Sequence, residues 1–276
     1  MITVSHTPVK TLLSKSKIPG FDYAINPYVG CPHKCIYCYA EFMRKVTGHH
    51  EPWGDFLDVR EPAVRLLPYK LFHTRVLLCS VTDPYNPYEA QFQVTRKLLK
   101  ELQFCQAYVQ ILTKSALVTR DIDLLKQMPG CRVVFSFSSH EDTFRQRAEP
   151  GASSVEEKIN ALKLLHENGI QTGLMIAPIM PGITDWKAIL SRTRAYTQHY
   201  GFDSLNMRPA YRQKVLSFID TYYPPLKGLY EDIFLQEKTD YWQQLADEIR
   251  TYCAQEQIAA DVYFSANIPE PEPTAL

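Results

Sequence analysis

The sequence predicts an α/β protein, a partial (β/α)6 barrel of the TIM type with a helical C-terminal cap. Three observations carry that expectation. Strand-like and helix-like segments alternate from about residue 24 to residue 208, the pattern of a parallel sheet with helices outside it. Residues 76–81 form an apolar run, as in a parallel strand covered on both faces. Val155, Ile159, Leu162 and Leu165 fall on one stripe of an amphipathic helix that ends near Gly169.

In order, residues 24–30 read as a first strand running into a cysteine-rich loop, with a short helix from about Ala40. The second strand covers 76–81 and is followed by a helix over 88–102. Strand three spans 108–113, a helix 120–127, and strand four 133–138. Strand five covers 172–176, a helix 186–200, and strand six 204–207. In barrels of this kind chemistry gathers at the carboxyl ends of the strands. Residues 1–210 are therefore expected to form the barrel, and 211–276 a helical extension packed on it. Helices are expected over 211–219, 226–234 and 242–253, then a last short strand at 261–264 and a Pro/Glu-rich tail.

Composition narrows the function classes. The 276 residues include 45% hydrophobic side chains, ordinary for a folded protein with a sizeable core. Thirty basic and thirty acidic residues balance, so no global field favours nucleic acid or membrane. Seven cysteines, an odd number with three clustered, argue against a secreted disulfide framework. Residues 1–17 lack the apolar stretch of a signal peptide. No run approaches the roughly 18–20 apolar residues of a membrane span. A cytoplasmic protein is expected.

Cys31, Cys35 and Cys38 lie within eight residues, with no fourth thiol nearby. A closed zinc site and a conventional iron–sulfur cluster each want four protein ligands. Three ligands leave a corner open for a small molecule. A zinc knuckle with His33 as fourth ligand competes with this reading, although His33 lies between two of the cysteines on a very tight loop. A disulfide pair with a spare thiol is the other alternative.

The spacing C-x3-C-x2-C, with Tyr37 before the last cysteine, resembles the signature of the radical S-adenosylmethionine (SAM) superfamily. Asn26-Pro27-Tyr28-Val29-Gly30, Thr82-Asp83-Pro84-Tyr85 with Glu89, Thr113-Lys114-Ser115, Glu149-Pro150, Ala177-Pro178-Ile179 and Arg208-Pro209 occur alongside it. The set is similar to the spore photoproduct lyase-like branch, over roughly residues 10 to 210. The resemblance implies a [4Fe–4S] cluster on Cys31, Cys35 and Cys38, with SAM on the open iron. It also implies reductive cleavage of SAM to a 5′-deoxyadenosyl radical, driven by a flavodoxin- or ferredoxin-type electron donor.

Further residues take expected roles within that resemblance. Tyr37 would lie beside the adenine. Thr82, Asp83 and Glu89 would receive the SAM amino group, and Lys114 would pair with its carboxylate. Ser136 and Ser138 alternate with Phe135 and Phe137, so period two puts both hydroxyls on one face, here the barrel interior. Ala177 would offer backbone groups to the adenine, and Arg208 would reach SAM or substrate.

One departure bears on the reaction. Spore photoproduct lyases carry a hydrogen-donating cysteine three residues before the second-strand aspartate, where this chain has Ser80 and the thiol one residue earlier, at Cys79. Adjacent strand residues face opposite ways, which turns Cys79 away from the radical. Tyr39 is a candidate for electron or hydrogen transfer. Cys105, Cys131 and Cys253 read as structural, and His49, His50 and Trp53 as a solvated loop. Basic stretches beside tyrosines permit nucleic-acid contact without demanding it. The readings left open are an enzyme acting on an unidentified organic substrate, a nucleic-acid repair or modification enzyme, and a non-catalytic metal-binding module.

Overall fold

In a computed structural model describing residues 2–236 and 240–264, the strands are β1 (Thr3–Val9), β2 (Leu13–Lys15), β3 (Tyr23–Ile25), β4 (Tyr28–Val29), β5 (Phe56–Pro62), β6 (Arg75–Leu78), β7 (Tyr108–Thr113), β8 (Cys131–Phe137), β9 (Gln171–Ile179), β10 (His199–Ser204) and β11 (Ala260–Val262). Eight of them form one sheet in the order β11-β10-β9-β8-β7-β6-β3-β2. All its pairings are parallel except β2 with β3. The edge strands β2 and β11 do not pair with each other, so the barrel stays open.

Val133, Phe135 and Phe137 of β8 pack with Leu162 and Leu165 of the helix Val155–Glu167 in the principal core. That helix begins in a capping box, Ser154 with Glu157, which satisfies orphan amide donors at its first turn.

Four expectations are corrected. The first strand breaks at Asn26-Pro27. β3 stays in the main sheet, while β4 joins β5 and β1 in a separate three-stranded sheet. Proline lacks the N–H that a continuous ladder needs. The sixth strand is β10 at His199–Ser204 rather than 204–207, because the helix from Trp186 ends at Thr193 and the aromatic Tyr200 and Phe202 are buried as strand residues. The helix expected over 88–102 is two, Glu89–Phe92 and Val94–Leu102, divided at left-handed Gln93. Residues 116–125 form a 3-10 turn and a short helix, Ala116–Asp121 and Ile122–Leu125.

Beyond residue 208 the helices are Pro209–Tyr222, Lys227–Phe234 and Asp240–Gln255. The first two pack in one apolar cluster with Tyr37, Phe144 and Met180. Ile249 and Cys253 of the third enter the principal core, and β11 extends the sheet in parallel with β10. The Pro/Glu-rich tail lies outside the described residues. No helix among the described residues is long and apolar enough to cross a membrane.

Candidate active site

The cysteine loop leaves β4 through Gly30, at φ +83°, where a Cβ would stand 2.3 Å from the Phe56 carbonyl oxygen. Only glycine allows that turn and that approach. Lys34 N donates to Cys31 O at 3.1 Å and Cys38 N to Cys35 O at 3.2 Å, so two consecutive tight turns space the thiols. Neighbouring loops hold the result. Thr82 Oγ1 donates to Gly30 O at 2.7 Å, Ile36 N to Ala148 O at 3.0 Å, and Gly151 N to His33 O at 3.2 Å.

All seven cysteines are free thiols. Burial is the main force pushing the Cys31, Cys35 and Cys38 thiols up, Cys38 to about 11; Asp83 pushes Cys31 further and Glu149 pushes Cys35 further, and the neighbouring thiols add to both. Three thiols gathered in a buried loop need a cation to ionise. Among the described residues, no three His, Cys, Asp or Glu side chains form a single-ion site.

Beside the loop lies a buried polar cluster built from the ends of β7, β8 and β9. Lys114 Nζ donates to Ser136 Oγ at 2.8 Å and to Ala177 O at 3.4 Å, and stands 3.2 Å from Glu149 Oε1. Ser138 Oγ lies 2.8 Å from Glu149 Oε1 and 3.1 Å from Ala177 O. Tyr37 donates its phenol proton to Glu149 and lies 2.8 Å from Ser138 Oγ. Lys158, only 1% exposed, reaches in from the helix to within 4.0 Å of Glu149 Oε2.

Burial alone would raise the Glu149 pKa, but Lys114 and Lys158 overcome it and hold the carboxyl at about 2. Burial likewise pulls Lys158 down to about 8, since it shares Glu149 with Lys114. Burial pulls Lys114 down, but Glu149, Cys35 and Asp83 together more than offset it and leave the amine above its ordinary value. Two cations thus face one carboxylate.

The loop after β6 corrects several assignments. Cys79 is no strand residue. It sits at φ +70° just past β6, with its side chain in the principal core, so strand alternation does not set its direction. Ser80 is held by Asn26, whose Oδ1 accepts from Ser80 N at 2.9 Å and Val81 N at 3.2 Å.

Asp83 does not offer a free carboxylate. Oδ1 accepts from Tyr85 N and Thr113 Oγ1, and Oδ2 from Lys114 N, each at 2.7–2.8 Å, while His33 Nδ1 stands 3.4 Å from Oδ2. Glu89, at 0% exposure, is taken up by Tyr28, Arg120 and the amides of Thr95 and Arg96. Both acids organise backbone, and Glu89 has no oxygen left for an incoming amino group.

Tyr39, 47% exposed, donates to the Ser80 carbonyl. Asp203 and Arg208, at and beyond the end of β10, act electrostatically on its phenol, and burial raises the Asp203 carboxyl to about 6. The structure therefore brings together Tyr37, Lys114, Ser136, Ser138 and Ala177 in one group, and Tyr39 with Ser80 in another. Glu89 is committed to other partners.

The loop of His49, His50 and Trp53 is also corrected. Trp53 is buried, and His49 stacks on Phe56 at 3.8 Å with its Nε2 on Asp58 at 3.0 Å. Sequence reasoning gave no role to Glu149, Lys158 or Asn26, and considered His33 only as a zinc ligand. Lys158 carried a signal, since it interrupts the apolar stripe three residues after Val155 and four before Leu162.

The radical SAM superfamily model matches residues 25–191. An uncharacterised protein of Methanocaldococcus jannaschii is 36% identical over 223 residues, covering 81% of this chain and 85% of the relative. A radical SAM Nα-GlyT isomerase of Pseudomonas phage M6 is 27% identical over 179 residues, covering 60% of this chain and 35% of that protein. A spore photoproduct lyase complexed with dinucleoside spore photoproduct superposes with a TM-score of 0.66 at 18% identity, over 95% of this chain and 82% of that one. A mutant of that lyase with bound AdoMet and the same dinucleoside gives 0.68 at 17% identity over the same shares. At these identities the structures share the fold.

Proposed function

This chain belongs to the radical SAM superfamily and is a radical SAM enzyme, and we propose that it holds a [4Fe–4S] cluster on Cys31, Cys35 and Cys38 and uses SAM against an organic substrate. The observation that carries the reading is the meeting of three free thiols in a buried loop with a neighbouring cluster in which Lys114 and Lys158 face Glu149. The residues fit such a group, since each thiol can ligate a different iron and one iron keeps a free position. When bound, the cluster and SAM supply a one-electron reductive cleavage that yields methionine and a 5′-deoxyadenosyl radical.

The chain's own residues bind and orient. Lys114, steadied by Ser136 and the Ala177 carbonyl, offers the SAM carboxylate a compact charge. That carboxylate would give Lys114 an anionic partner besides Glu149. Ser138 and Glu149 fix the Tyr37 ring beside the last cysteine, where an adenine would lie. Thr82 fastens the loop, and Asp83 holds β7 so that Lys114 points inward. Tyr39, Ser80 and Arg208 form the side toward the substrate, which receives no thiol hydrogen donor from Cys79.

A flavodoxin- or ferredoxin-type donor would supply the electron, and a cytoplasmic setting suits the free thiols. Residues 1–210 would form the radical SAM barrel and 211–276 its cap.

The test is anaerobic reconstitution followed by incubation with dithionite and SAM. About four irons and four sulfides per chain, with 5′-deoxyadenosine formed, are expected, and Cys35→Ala should load no cluster. One zinc per chain and no nucleoside product would refute the reading in favour of a metal-binding module.

A narrower reading is nucleic-acid repair or modification, supported by the dinucleoside bound to the lyase neighbour. It expects DNA binding that weakens steeply with salt. Salt-insensitive or absent binding would remove it.

A further inference from the structure

Trp53 is 6% exposed, and its indole Nε1 is buried without a hydrogen-bond partner in the protein. An indole nitrogen can only donate. Leaving such a donor unsatisfied carries the full desolvation penalty of the group, so an orphan of this kind calls for an explanation.

The surroundings give a direction. Trp53 packs in a small apolar cluster with Cys31 and Ala40, against which Cys38 also rests. Its ring stands edge-on to Phe56 at 5.7 Å, and Phe56 is backed by the stacked His49. The ring is therefore clamped beside two of the three cysteines.

We propose that Trp53 is a positioning residue that donates its indole N–H to a sulfur of the cluster, the Cys38 thiolate or an adjoining sulfide. The inference rests on the cluster assignment made above. A donor at sulfur stabilises the more negatively charged, reduced cluster and raises its reduction potential. The reaction concerned is uptake of one electron from an external low-potential reductant, with no bond made or broken by Trp53.

Trp53→Phe keeps an aromatic ring in the slot and removes the donor. Anaerobically reconstituted full-length protein, matched for iron and sulfide, is titrated reductively and followed by electron paramagnetic resonance. At a fixed poise the ratio of reduced to oxidised cluster should fall about tenfold in Trp53→Phe, equal to 59 mV for one electron. An unchanged ratio overturns the proposal.

Should Trp53→Phe load no cluster, the unaltered protein decides. With 15N-indole tryptophan, pulsed spectra of the reduced cluster should show a 15N coupling. Trp186 packs instead on Phe202 and Trp242 on Phe264. A loaded cluster without that coupling overturns this inference alone, whereas unaltered protein that loads no iron overturns the cluster assignment with it.

Discussion

Replacing Glu149 with glutamine keeps the shape of the side chain and removes the carboxylate that Lys114 and Lys158 share. At separations of 3.2 and 4.0 Å, and an effective dielectric of about 20, the two attractions amount to about 5 and about 4 kcal/mol. Against them stands the recovered desolvation of the carboxylate, several kcal/mol per ion. Removing one partner of a buried pair leaves a net loss of about 3–5 kcal/mol. At about 2–4 °C per kcal/mol for a chain approaching this size, the melting temperature should fall by about 10 °C. Urea unfolding of anaerobically purified Glu149→Gln measures this directly. Lys158→Met in the same background removes one of the stranded cations, so the double variant should be more stable than the sum of the single losses by about 0.5–3 kcal/mol. A loss below about 1 kcal/mol in Glu149→Gln, set against the 3–5 kcal/mol typical of such pairs, would refute this account of the cluster. Strict additivity in the double variant would do the same.

Two further outcomes follow from the same geometry. The Glu149 carboxyl is depressed from 4.5 to about 2, so its contribution to stability is present above about pH 4.5 and is lost as pH falls through about 2. Lys158 is depressed from 10.5 to about 8; the unfolded chain binds that proton more tightly, so stability rises with pH from about 8 to about 10.5. Stability–pH curves of Glu149→Gln and Lys158→Met should flatten on the acid and alkaline sides respectively, and curves parallel to the unaltered protein would contradict both assignments. Gly151→Ala would put a Cβ 2.3 Å from Pro32 O and 2.7 Å from His33 Cα, backbone atoms of the cysteine loop. A loss of about 1–3 kcal/mol from overpacking should come with a lower iron content after reconstitution, and full loading at unchanged stability would show that the loop can shift.

Local patterns made much of this protein legible. The cysteine spacing is covalent information. The alternation of Ser136 and Ser138 with Phe135 and Phe137 sends the hydroxyls toward Lys114 and Glu149 and the rings into the core, as period two requires. The alternation of strands and helices pointed to an open parallel sheet because each apolar run had to be covered on both faces. Boundaries were harder where one residue overrides a propensity. Pro27 ends a strand, Gln93 divides a helix at positive φ, and residues 194–200 leave the helix because the buried Tyr200 and Phe202 favour a strand.

The chain's order of residues determined by itself the three thiols, the sheet class and the faces of each strand, since these depend on neighbours one to four positions away. The tertiary structure alone decided which charges are free. Glu89 read as a candidate ligand until the Thr95 and Arg96 amides, Tyr28 and Arg120 took up its oxygens. Lys158 read as one residue of an amphipathic helix until Glu149 met it from another loop. Charge pairing in a low-dielectric interior depends on distances between segments far apart in sequence, and folding sets those distances.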